Sequence, residues 1–334
     1  MKKLYVFLIL FFASFIIKAQ DTFSIIAVDP ITGEVGSIGA SCVNGASGQF
    51  DTWVTDIIPG KGGVNSQAYI CIPNTNLQSA IARMEEGLSP QEIIDWLLLN
   101  DNCNSQNYDP EYRQYGIVDL DGNGDPRAAG WTGSMADDYK EDRQGIDFSI
   151  QGNILLDVSV IDNMTANMNN TEGTLADKLM AGLQGANIPG ADSRCLANGT
   201  SSRAAWFVVY KADDEPGNPY LRIVVPTQTI GVEPIDVMQD LYDDFLAAED
   251  FDLNNNFKLY PNPASKELMV SYNSSINLKN IKVYDLKGKR IAQFHDFSPN
   301  TFQHKIDVSA LENGVYFLKI KSLQGTTTLR FIKH

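Results

Sequence analysis

Alternating apolar and polar stretches predict strands and helices along the first 250 residues. Residues 22–28 are apolar and rich in β-formers, and Asp29-Pro30-Ile31-Thr32-Gly33 supplies a turn into a second run at 34–41. Helical spacing of Leu77, Ile81 and Met84 follows, and then Ser89-Pro90-Gln91-Glu92 forms a capping box before residues 93–99. A hairpin and two packed helices are therefore expected.

The next part of the chain returns to strands. The order of elements favours helices layered on antiparallel sheet, an α+β arrangement. Helices are predicted at 175–183 and 235–248, and strands at 115–119, 127–132, 148–158, 203–211 and 220–225.

Seven short β-rich runs separated by turn residues occupy the C-terminal part of the chain. Such spacing is typical of a small all-β, Ig-like sandwich. The polar segment 251–256 is expected to be a linker before it. The seven predicted strands are 258–260, 267–272, 281–285, 290–294, 302–308, 314–320 and 326–332.

Charge divides the chain at the same place. Residues 255–334 carry 12 Lys and Arg against 5 Asp and Glu, whereas residues 21–254 carry 11 against 36. An acidic surface of this kind repels nucleic acid and anionic lipid, which argues against a nucleic-acid function. Two domains are therefore expected, at 21–250 and 257–334.

The N-terminus has the layout of a signal peptide over residues 1–20. Lys2 and Lys3 precede an apolar run from Leu4 to Ile17, which is too short to span a bilayer comfortably. No later stretch approaches the roughly 20 apolar residues of a membrane helix, so the mature chain is expected to have no transmembrane segment.

The four cysteines, Cys42, Cys71, Cys103 and Cys195, all lie in the acidic part. In an exported chain they favour structural disulfides, for which three pairings are possible. Free buried thiols are the alternative. A metal site is disfavoured because the spacing of metal ligands is absent.

Histidine is missing from residues 21–254, since His295, His304 and His334 are the three in the chain. This excludes Ser-His-Asp and Cys-His catalysis and histidine-ligated zinc in the acidic domain. A catalytic base there must be a carboxylate, a lysine or an α-amino group, whose pKa near 7.7–8.0 suits proton abstraction. The last option requires an N-terminal nucleophile.

Successive motifs follow one another over residues 22–250. They are Thr22 to Pro30, Gly33-Glu34, Gly36, Gly39, Gly63-x-x-x-Gln67, Gly87-Leu88-Ser89, Gln114 to Asp119, Trp131-Thr132-Gly133, Gln151 to Leu155 and Asp192-x-Arg194. In this order they resemble an uncharacterised bacterial family known as domain of unknown function 1028. The resemblance implies a fold similar to the Ntn-hydrolases, a four-layer αββα sandwich.

The Ntn resemblance implies that Thr22 is the nucleophile, activated by its own α-amine. Asp21 departs from that pattern, because cleavage after Ala19 or Gln20 leaves at least one residue in front. Catalysis then requires trimming, or self-cleavage between Asp21 and Thr22. The alternative is an ordinary threonine that begins a strand.

The other candidate site residues each have a structural alternative. Asn153, after Gly152, can donate to an oxyanion or simply form a bend. Asp192 and Arg194 lie in a Gly/Pro-rich loop, as functional residues or as an ion pair that holds the loop. Gln67 can bind substrate through hydrogen bonds.

A partial calcium motif runs from Asp119 to Gly124, but position twelve is Gly130 and the bidentate Glu is missing. A hairpin turn is therefore the preferred interpretation. We expect no metal and no cofactor.

The C-terminal module contains a second ordered set of motifs. They are Leu259 to Ala264, Val283 to Lys289, Ile306 to Leu311, Asn313 to Phe317 and Phe331-Ile332-Lys333. With these motifs the module resembles the sorting domain of the type IX secretion system of Bacteroidetes. The resemblance implies that the secretion translocon binds residues 257–334 and that the protein is secreted or lies at the cell surface, via the periplasm. A generic adhesive sandwich is the alternative.

Two functions remain open for the acidic domain. One is an amide-bond hydrolase that acts outside the cell on a small peptide or amide. The other is a catalytically silent binding domain, since the fold alone does not decide the activity.

Overall fold

The computed structural model describes residues 22–274, 276–295, 297, 302–322 and 325–334, without the side chains of 247–252. The predicted signal peptide at 1–20 and Asp21 lie outside the described residues. The described residues form two compact units, which divide between Asp240 and Leu241. In the described part, no helix has both the length and the apolar character needed to cross a membrane.

Over its described residues, which begin at Thr22, the first unit contains ten strands and five helices, and a sixth helix begins in it. Three short 3₁₀ helices lie at Ser105–Tyr108, Pro110–Tyr112 and Ser193–Asn198. In chain order the other elements are β1 (Phe23–Val28), β2 (Val35–Ser41), α1 (Asp51–Val54), β3 (Thr55–Ile58), β4 (Gly62–Ala68), α2 (Thr75–Glu85), α3 (Pro90–Leu99), β5 (Arg113–Leu120), β6 (Pro126–Thr132), β7 (Glu141–Gln144), β8 (Phe148–Gly152), α4 (Ser159–Asn170), α5 (Leu175–Gln184), β9 (Ala204–Tyr210), β10 (Leu221–Val225) and α6 (Pro234–Asn255).

Two antiparallel sheets organise this unit. One has six strands in the order β10-β9-β2-β1-β8-β7, and the other has four in the order β3-β4-β5-β6. Strand β1 lies between β2 and β8, with Phe23 opposite Ala40 on one side and Gly152 on the other. The start of β1 is therefore enclosed by two neighbouring strands of its own sheet.

The two faces of β1 contact different layers. Ile26 and Val28 join a buried cluster with Val118 of the four-stranded sheet and Trp206 of β9. On the opposite face, a Cβ on Gly182 of α5 would meet the side chain of Ile25. Even-numbered residues of β1 therefore face the other sheet, and odd-numbered residues face helices.

Helices α2 and α3 cover the outer face of the four-stranded sheet. Leu77, Met84 and Ile93 pack with Tyr115 and Ile117 of β5 in one buried cluster. The predicted capping box of α3 is present: the Ser89 side chain accepts from the Glu92 nitrogen, and the Glu92 carboxylate accepts from the Ser89 nitrogen. The expectation of mixed α and β structure with antiparallel sheets is confirmed.

Several elements differ from the sequence expectation. The predicted strand 148–158 ends at Gly152, and α4 begins at Ser159. Strands β3, β4 and β7 were not predicted. For β4 the reason is physical: Asn65 and Gln67 are fully buried polar residues, so the strand lacks an apolar pattern.

All four cysteines form disulfides, Cys42–Cys195 and Cys71–Cys103, as the composition favoured. The second bridge lies beside a buried ion pair in which Arg113 Nε contacts Asp101 Oδ2 at 2.8 Å. Arg113 also donates to the carbonyls of Cys103 and Ser105. The pair and the bridge together fix the segment between α3 and β5.

The second unit is all β after the end of α6. Its strands form a three-stranded sheet, β11-β12-β15, and a four-stranded sheet, β14-β13-β16-β17. All seven predicted strands are present, as β11 (Phe257–Tyr260), β12 (Glu267–Tyr272), β13 (Leu278–Asp285), β14 (Arg290–Phe294), β15 (Gln303–Asp307), β16 (Gly314–Ser322) and β17 (Gly325–Lys333).

Helix α6 continues to Asn255, so most of the segment expected as a linker is helical. Its last turn contributes Leu253 to the core of the second unit. Leu253 of this segment therefore packs with the β strands that follow it.

Candidate functional site

Thr22 directly precedes β1 and lies on the side of that strand that faces the four-stranded sheet. Ser24, two residues later, donates from Oγ to Oε1 of Gln67 at 2.7 Å and accepts from Nδ2 of Asn65 at 3.0 Å. Because side chains two apart in a strand share a face, Thr22 points toward the same space between the sheets. Thr22 itself is fully buried.

Asn153 holds the main chain of Thr22 from the neighbouring strand. The Thr22 nitrogen donates to Oδ1 of Asn153 at 3.1 Å, and the Asn153 nitrogen donates to the Thr22 carbonyl at 3.2 Å. The next residue, Ile154, has φ +53°. A β-branched residue in this region is strained, and such strain clusters at functional sites.

Gln67 approaches Thr22 from the opposite sheet. Its Nε2 donates to the Thr22 carbonyl at 2.8 Å and to Oε1 of Gln114 at 2.7 Å, while its Oε1 accepts from Ser24. Both amide hydrogens are thus used inside the protein. These contacts favour a role in positioning Thr22; substrate binding by Gln67 stays a prediction.

Gln114 extends this network to the strand that carries Asn153. Its Nε2 lies 2.9 Å from the Gly152 carbonyl and 2.9 Å from Oγ1 of Thr132. Gln67 and Gln114 therefore connect β4 and β5 to the ends of β1 and β8. Sequence reasoning missed Gln114 as a site residue, although it lies in a motif that carries the family resemblance.

The buried polar layer continues away from Thr22. Gln151 Nε2 donates to Ser24 Oγ at 2.5 Å, and Asn65 accepts from the Ser37 hydroxyl at 2.8 Å. A Cβ on Gly116 would collide with Oε1 of Gln151, so glycine is required there for the glutamine to fit. These polar groups satisfy one another between the sheets, as buried polar groups must.

Asp192 and Arg194 form the ion pair that the loop suggested. Arg194 Nη2 contacts Asp192 Oδ2 at 2.6 Å, and the carboxylate of Asp192 is fully buried. The same oxygen accepts from the Cys42 nitrogen at 2.8 Å. Arg194 Nη2 also lies 3.5 Å from Oγ of Ser41. The pair therefore reaches the end of β2.

The register of β1 and β2 connects this pair to Thr22. Phe23 pairs with Ala40, so one step further Thr22 lies opposite Ser41. On the other side, Leu155 bridges to Asp192, and the Ser193 nitrogen donates to the Ile154 carbonyl at 2.8 Å. Thr22, Asn153, Asp192 and Arg194 thus lie in one neighbourhood, and the Cys42–Cys195 disulfide closes it.

Tyr69 and Asp137 border the same end of the sandwich. The Tyr69 hydroxyl donates to Asp137 Oδ2 at 2.7 Å, and the Asp137 carbonyl accepts from the Ile154 nitrogen at 3.1 Å. Nearby, a hydrogen bond to Glu141 raises the pKa of Tyr139 to about 12. Tyr139 is therefore a neutral hydrogen-bond donor at physiological pH.

A cavity of about 220 Å³ lies elsewhere, beside Ala27, Phe148 and Lys178. Ala27 is near the far end of β1 and faces the helices, so this cavity is separate from Thr22. It contributes nothing to the site.

The segment expected as a hairpin turn or a partial calcium loop connects β5 and β6 as a hairpin. Asp119 forms an ion pair with Arg127 at 2.5 Å, and Asp121 Oδ1 accepts from the nitrogens of Asn123 and Asp125. Within the described residues, no three His, Cys, Asp or Glu side chains are placed to hold a metal ion.

Comparison with known proteins assigns both parts of the chain. The model of a family of unknown function, DUF1028, matches residues 22–233, and the model of the secretion system C-terminal sorting domain matches residues 258–334. No curated protein matches the sequence.

Among solved structures, protein SPO2555 from Silicibacter pomeroyi, titled with the same family name, is similar at 24% identity. The match covers 67% of this chain and 88% of that one, with a TM-score of 0.52. The sulfur carrier protein SoxY from Chlorobium limicola f thiosulfatophilum matches at 11% identity over 28% of this chain and 96% of that one, with a TM-score of 0.19.

Proposed function

The chain belongs to the DUF1028 family of unknown function, and on that premise we propose that it is an exported amide-bond hydrolase of the N-terminal-nucleophile type. Its sorting domain makes it a secreted or cell-surface protein. We propose the boundaries 1–20 for a signal peptide, 21–250 for the hydrolase domain, 251–256 for the junction and 257–334 for the sorting domain.

The proposed fold is the four-layer αββα sandwich of the Ntn-hydrolases. The packing of α5 on β1 and of α2 and α3 on β5 supports this order of layers, with the two sheets in contact between them. In that fold the first strand presents the nucleophile between the sheets. Thr22 stands at the head of the corresponding strand here.

The observation that carries the proposal is the set of contacts on the main chain of Thr22. Asn153 accepts from its nitrogen, and Gln67 donates to its carbonyl at 2.8 Å. Once Thr22 is N-terminal, that nitrogen is an α-amine held in place by a fully buried amide. Its domain contains no histidine, so this amine is the base we assign to the hydroxyl.

The reaction then follows in balanced steps. The neutral amine takes the proton of the Thr22 hydroxyl while Oγ1 bonds to the substrate carbonyl carbon. The resulting ammonium gives that proton to the leaving nitrogen as the C–N bond breaks, leaving an ester on Thr22. The amine then takes a proton from water as the water oxygen bonds to the ester carbon. The C–Oγ1 bond breaks, the ammonium returns the proton to Oγ1, and the carboxylic acid leaves with the Thr22 hydroxyl and the neutral amine restored. We assign oxyanion stabilisation to the Asn153 Nδ2, since its Oδ1 and main-chain nitrogen bind Thr22.

We propose a supporting role for Asp192 and Arg194. Their ion pair holds the loop against Cys42 and Ser41, across from Thr22. The cation is 30% exposed, so it can also contribute positive charge at the edge of the site. The substrate we propose is a small peptide or amide.

Mass spectrometry of the secreted chain tests this function. A mature N-terminus at Thr22, together with amide hydrolysis that disappears in Thr22→Ala but persists in Thr229→Ala, a threonine exposed on the surface, supports it. A chain that retains Asp21 in its secreted form removes the base and overturns the proposal.

A silent binding domain is the second candidate. The complete burial of Thr22 favours it, because a nucleophile must meet its substrate. Hydrogen exchange distinguishes the two. A hydrolase requires the segments around Thr22 and Asn153 to open on a timescale compatible with turnover.

A further inference from the structure

The terminal strand of the sorting domain is attached to a turn about 70 residues earlier in the chain. Asn262, in the turn after β11, accepts at Oδ1 from the Ile332 nitrogen at 2.9 Å. Its Nδ2 donates to the Arg330 carbonyl at 3.2 Å. One exposed side chain thus binds two main-chain groups of β17.

Ala264 extends the same attachment. Its nitrogen donates to the Ile332 carbonyl at 2.8 Å, and its carbonyl accepts from the His334 nitrogen at 2.9 Å. Ala264 and Lys333 form a parallel bridge. We call the segment from Tyr260 to Ala264, together with its hydrogen bonds to residues 330–334, the terminal clamp.

The clamp acts on an edge strand. β17 is the last strand of its sheet, and β16 pairs with its other side. An edge strand presents main-chain donors and acceptors to any passing chain. The clamp occupies these groups at residues 330, 332 and 334, and so gives the end of the chain one fixed conformation.

A third segment meets the same strand. Lys333 is only 8% exposed, and its Nζ lies 3.5 Å from Oδ1 of Asn313 and 2.9 Å from the His334 carbonyl. Asn262, Asn313 and Lys333 come from three separate motifs of the sorting-domain resemblance. The fold brings these motifs together at one end of the module.

The surface formed there is both apolar and basic. Tyr260 is 43% exposed and Ile332 is 38% exposed. Arg330 and Pro261 are also exposed. The hydrogen bonds of Asn262 hold the turn after β11 beside β17. The exposed side chains of the turn and of the strand therefore share one surface. The module as a whole carries an excess of basic residues.

We propose that the secretion machinery recognises this folded surface rather than the extended C-terminal sequence. The occupant is a protein component of the machinery that offers an apolar contact to Tyr260 and Ile332 and an acidic group to Arg330. The match to the sorting-domain family identifies the kind of partner. Asn262 is a positioning residue, because it acts through the conformation of residues 330–334.

Secretion of the full chain from cells with a type IX system tests the proposal. Asn262→Ala leaves residues 325–334 unchanged but removes both side-chain bonds to the terminal strand. We expect the extracellular fraction, measured by immunoblot against the periplasmic fraction, to fall about tenfold or more, as for loss of a central contact. Asn273→Ala is the matched control, since Asn273 is exposed and bonded to Asn256 in the same module.

Two surface variants separate recognition from folding. Ile332→Ser and Tyr260→Ser alter exposed side chains and leave the Asn262 bonds in place, and we expect each to reduce secretion. Thermal unfolding of the purified full chain reports whether the module is intact. If Asn262→Ala unfolds the module, its secretion no longer reports on recognition. The secretion of Ile332→Ser and Tyr260→Ser then tests the proposal.

Normal secretion of a folded Asn262→Ala chain would overturn the proposal and favour recognition of a linear C-terminal sequence. Normal secretion of both surface variants would overturn it as well. Neither result depends on the proposed hydrolase activity.

Discussion

The Thr22 nitrogen donates to Oδ1 of Asn153 across 3.1 Å, and the Asn153 nitrogen donates back to the Thr22 carbonyl. Both residues are fully buried. This reciprocal pair joins the residue that precedes β1 to the residue that follows β8. It makes Asn153 the side chain whose removal acts most directly on the nitrogen proposed as the base.

Asn153→Ala tests that relationship. Loss of the acceptor leaves the Thr22 nitrogen unsatisfied in the interior, at a cost of about 1–3 kcal/mol in the free energy of unfolding. In the mature protein we expect a lower α-amine pKa, because an acceptor stabilises the ammonium form. The pH dependence of N-terminal acylation, followed by mass spectrometry, measures this shift.

Asn153→Asp is the conservative comparison, since it retains an acceptor oxygen. We expect the α-amine pKa, and with it the pH at which acylation becomes fast, to be higher in Asn153→Asp than in Asn153→Ala. An unchanged profile in both variants would show that Asn153 does not control the amine.

The glutamine pair between the sheets provides a second prediction. Gln67→Leu removes the acceptor of the Ser24 hydroxyl and the donor to the side-chain Oε1 of Gln114. We expect the free energy of unfolding to fall by about 1–3 kcal/mol for each group left unsatisfied. In a double-mutant cycle of Gln67→Leu and Gln114→Leu, we expect an interaction energy of about 0.5–3 kcal/mol. Urea unfolding of the single and double variants measures the free energies of unfolding for this cycle.

Gln91→Leu is the control for this cycle, because Gln91 is exposed on α3 and bonds only to Asp95 among the described contacts. We expect Gln91→Leu to change the free energy of unfolding by no more than about 0.5 kcal/mol. Strict additivity of the Gln67 and Gln114 substitutions would contradict the view that they form one connected network.

The two disulfides should contribute unequally to stability. Cys42–Cys195 closes a separation of 153 residues, and Cys71–Cys103 closes one of 32. The chain-entropy model gives about 5 and about 4 kcal/mol respectively. We therefore expect Cys42→Ser/Cys195→Ser to lower the free energy of unfolding more than Cys71→Ser/Cys103→Ser.

The Cys42–Cys195 bridge is also expected to order the loop that contains Cys195. The main-chain nitrogen of Cys42 donates to Asp192, and Cys195 lies in the same loop as Asp192, so loss of the bridge should increase hydrogen exchange at residues 190–199. Exchange that rises equally in both double variants would argue that the bridge does not order this loop specifically.

The sequence was informative where local chemistry decides the structure. The capping box at Ser89 and Glu92 and the seven strands of the sorting domain follow from local signals. Strand β4 was missed because its buried Asn65 and Gln67 are polar, and only the opposite sheet makes their burial favourable. Helix α4 carries buried Val160, Met164 and Met168 at helical spacing, a signal that was available.

The candidate site was predictable in part. Thr22, Asn153, Asp192 and Arg194 were named from the resemblance, and the register of β1 brings them into one neighbourhood. Gln114 and Ser41 could not be assigned before the pairing of strands was known. The cysteine pairing needed the fold for the same reason, because spacing alone left three possibilities.

We expect His304 to make the stability of the sorting domain depend on pH. Burial lowers the pKa of this histidine from its ordinary value of 6.5. Its ring lies against Phe294 and Phe297, and its Nε2 is buried without a hydrogen-bond partner in the described part of the chain. The unfolded state therefore binds a proton at higher pH than the folded state does.

Stability should consequently fall as pH drops below about 6.5, because between the two pKa values the unfolded chain takes up a proton and the folded chain does not. Hydrogen-exchange mass spectrometry of peptides from 257–334, corrected for intrinsic exchange rates, measures this at pH 7 and pH 5. His304→Phe, which fits the aromatic cluster, should remove the acid destabilisation. His295→Gln, at an exposed position, should retain it. Equal pH dependence in His304→Phe and the unmodified chain would show that another group is responsible.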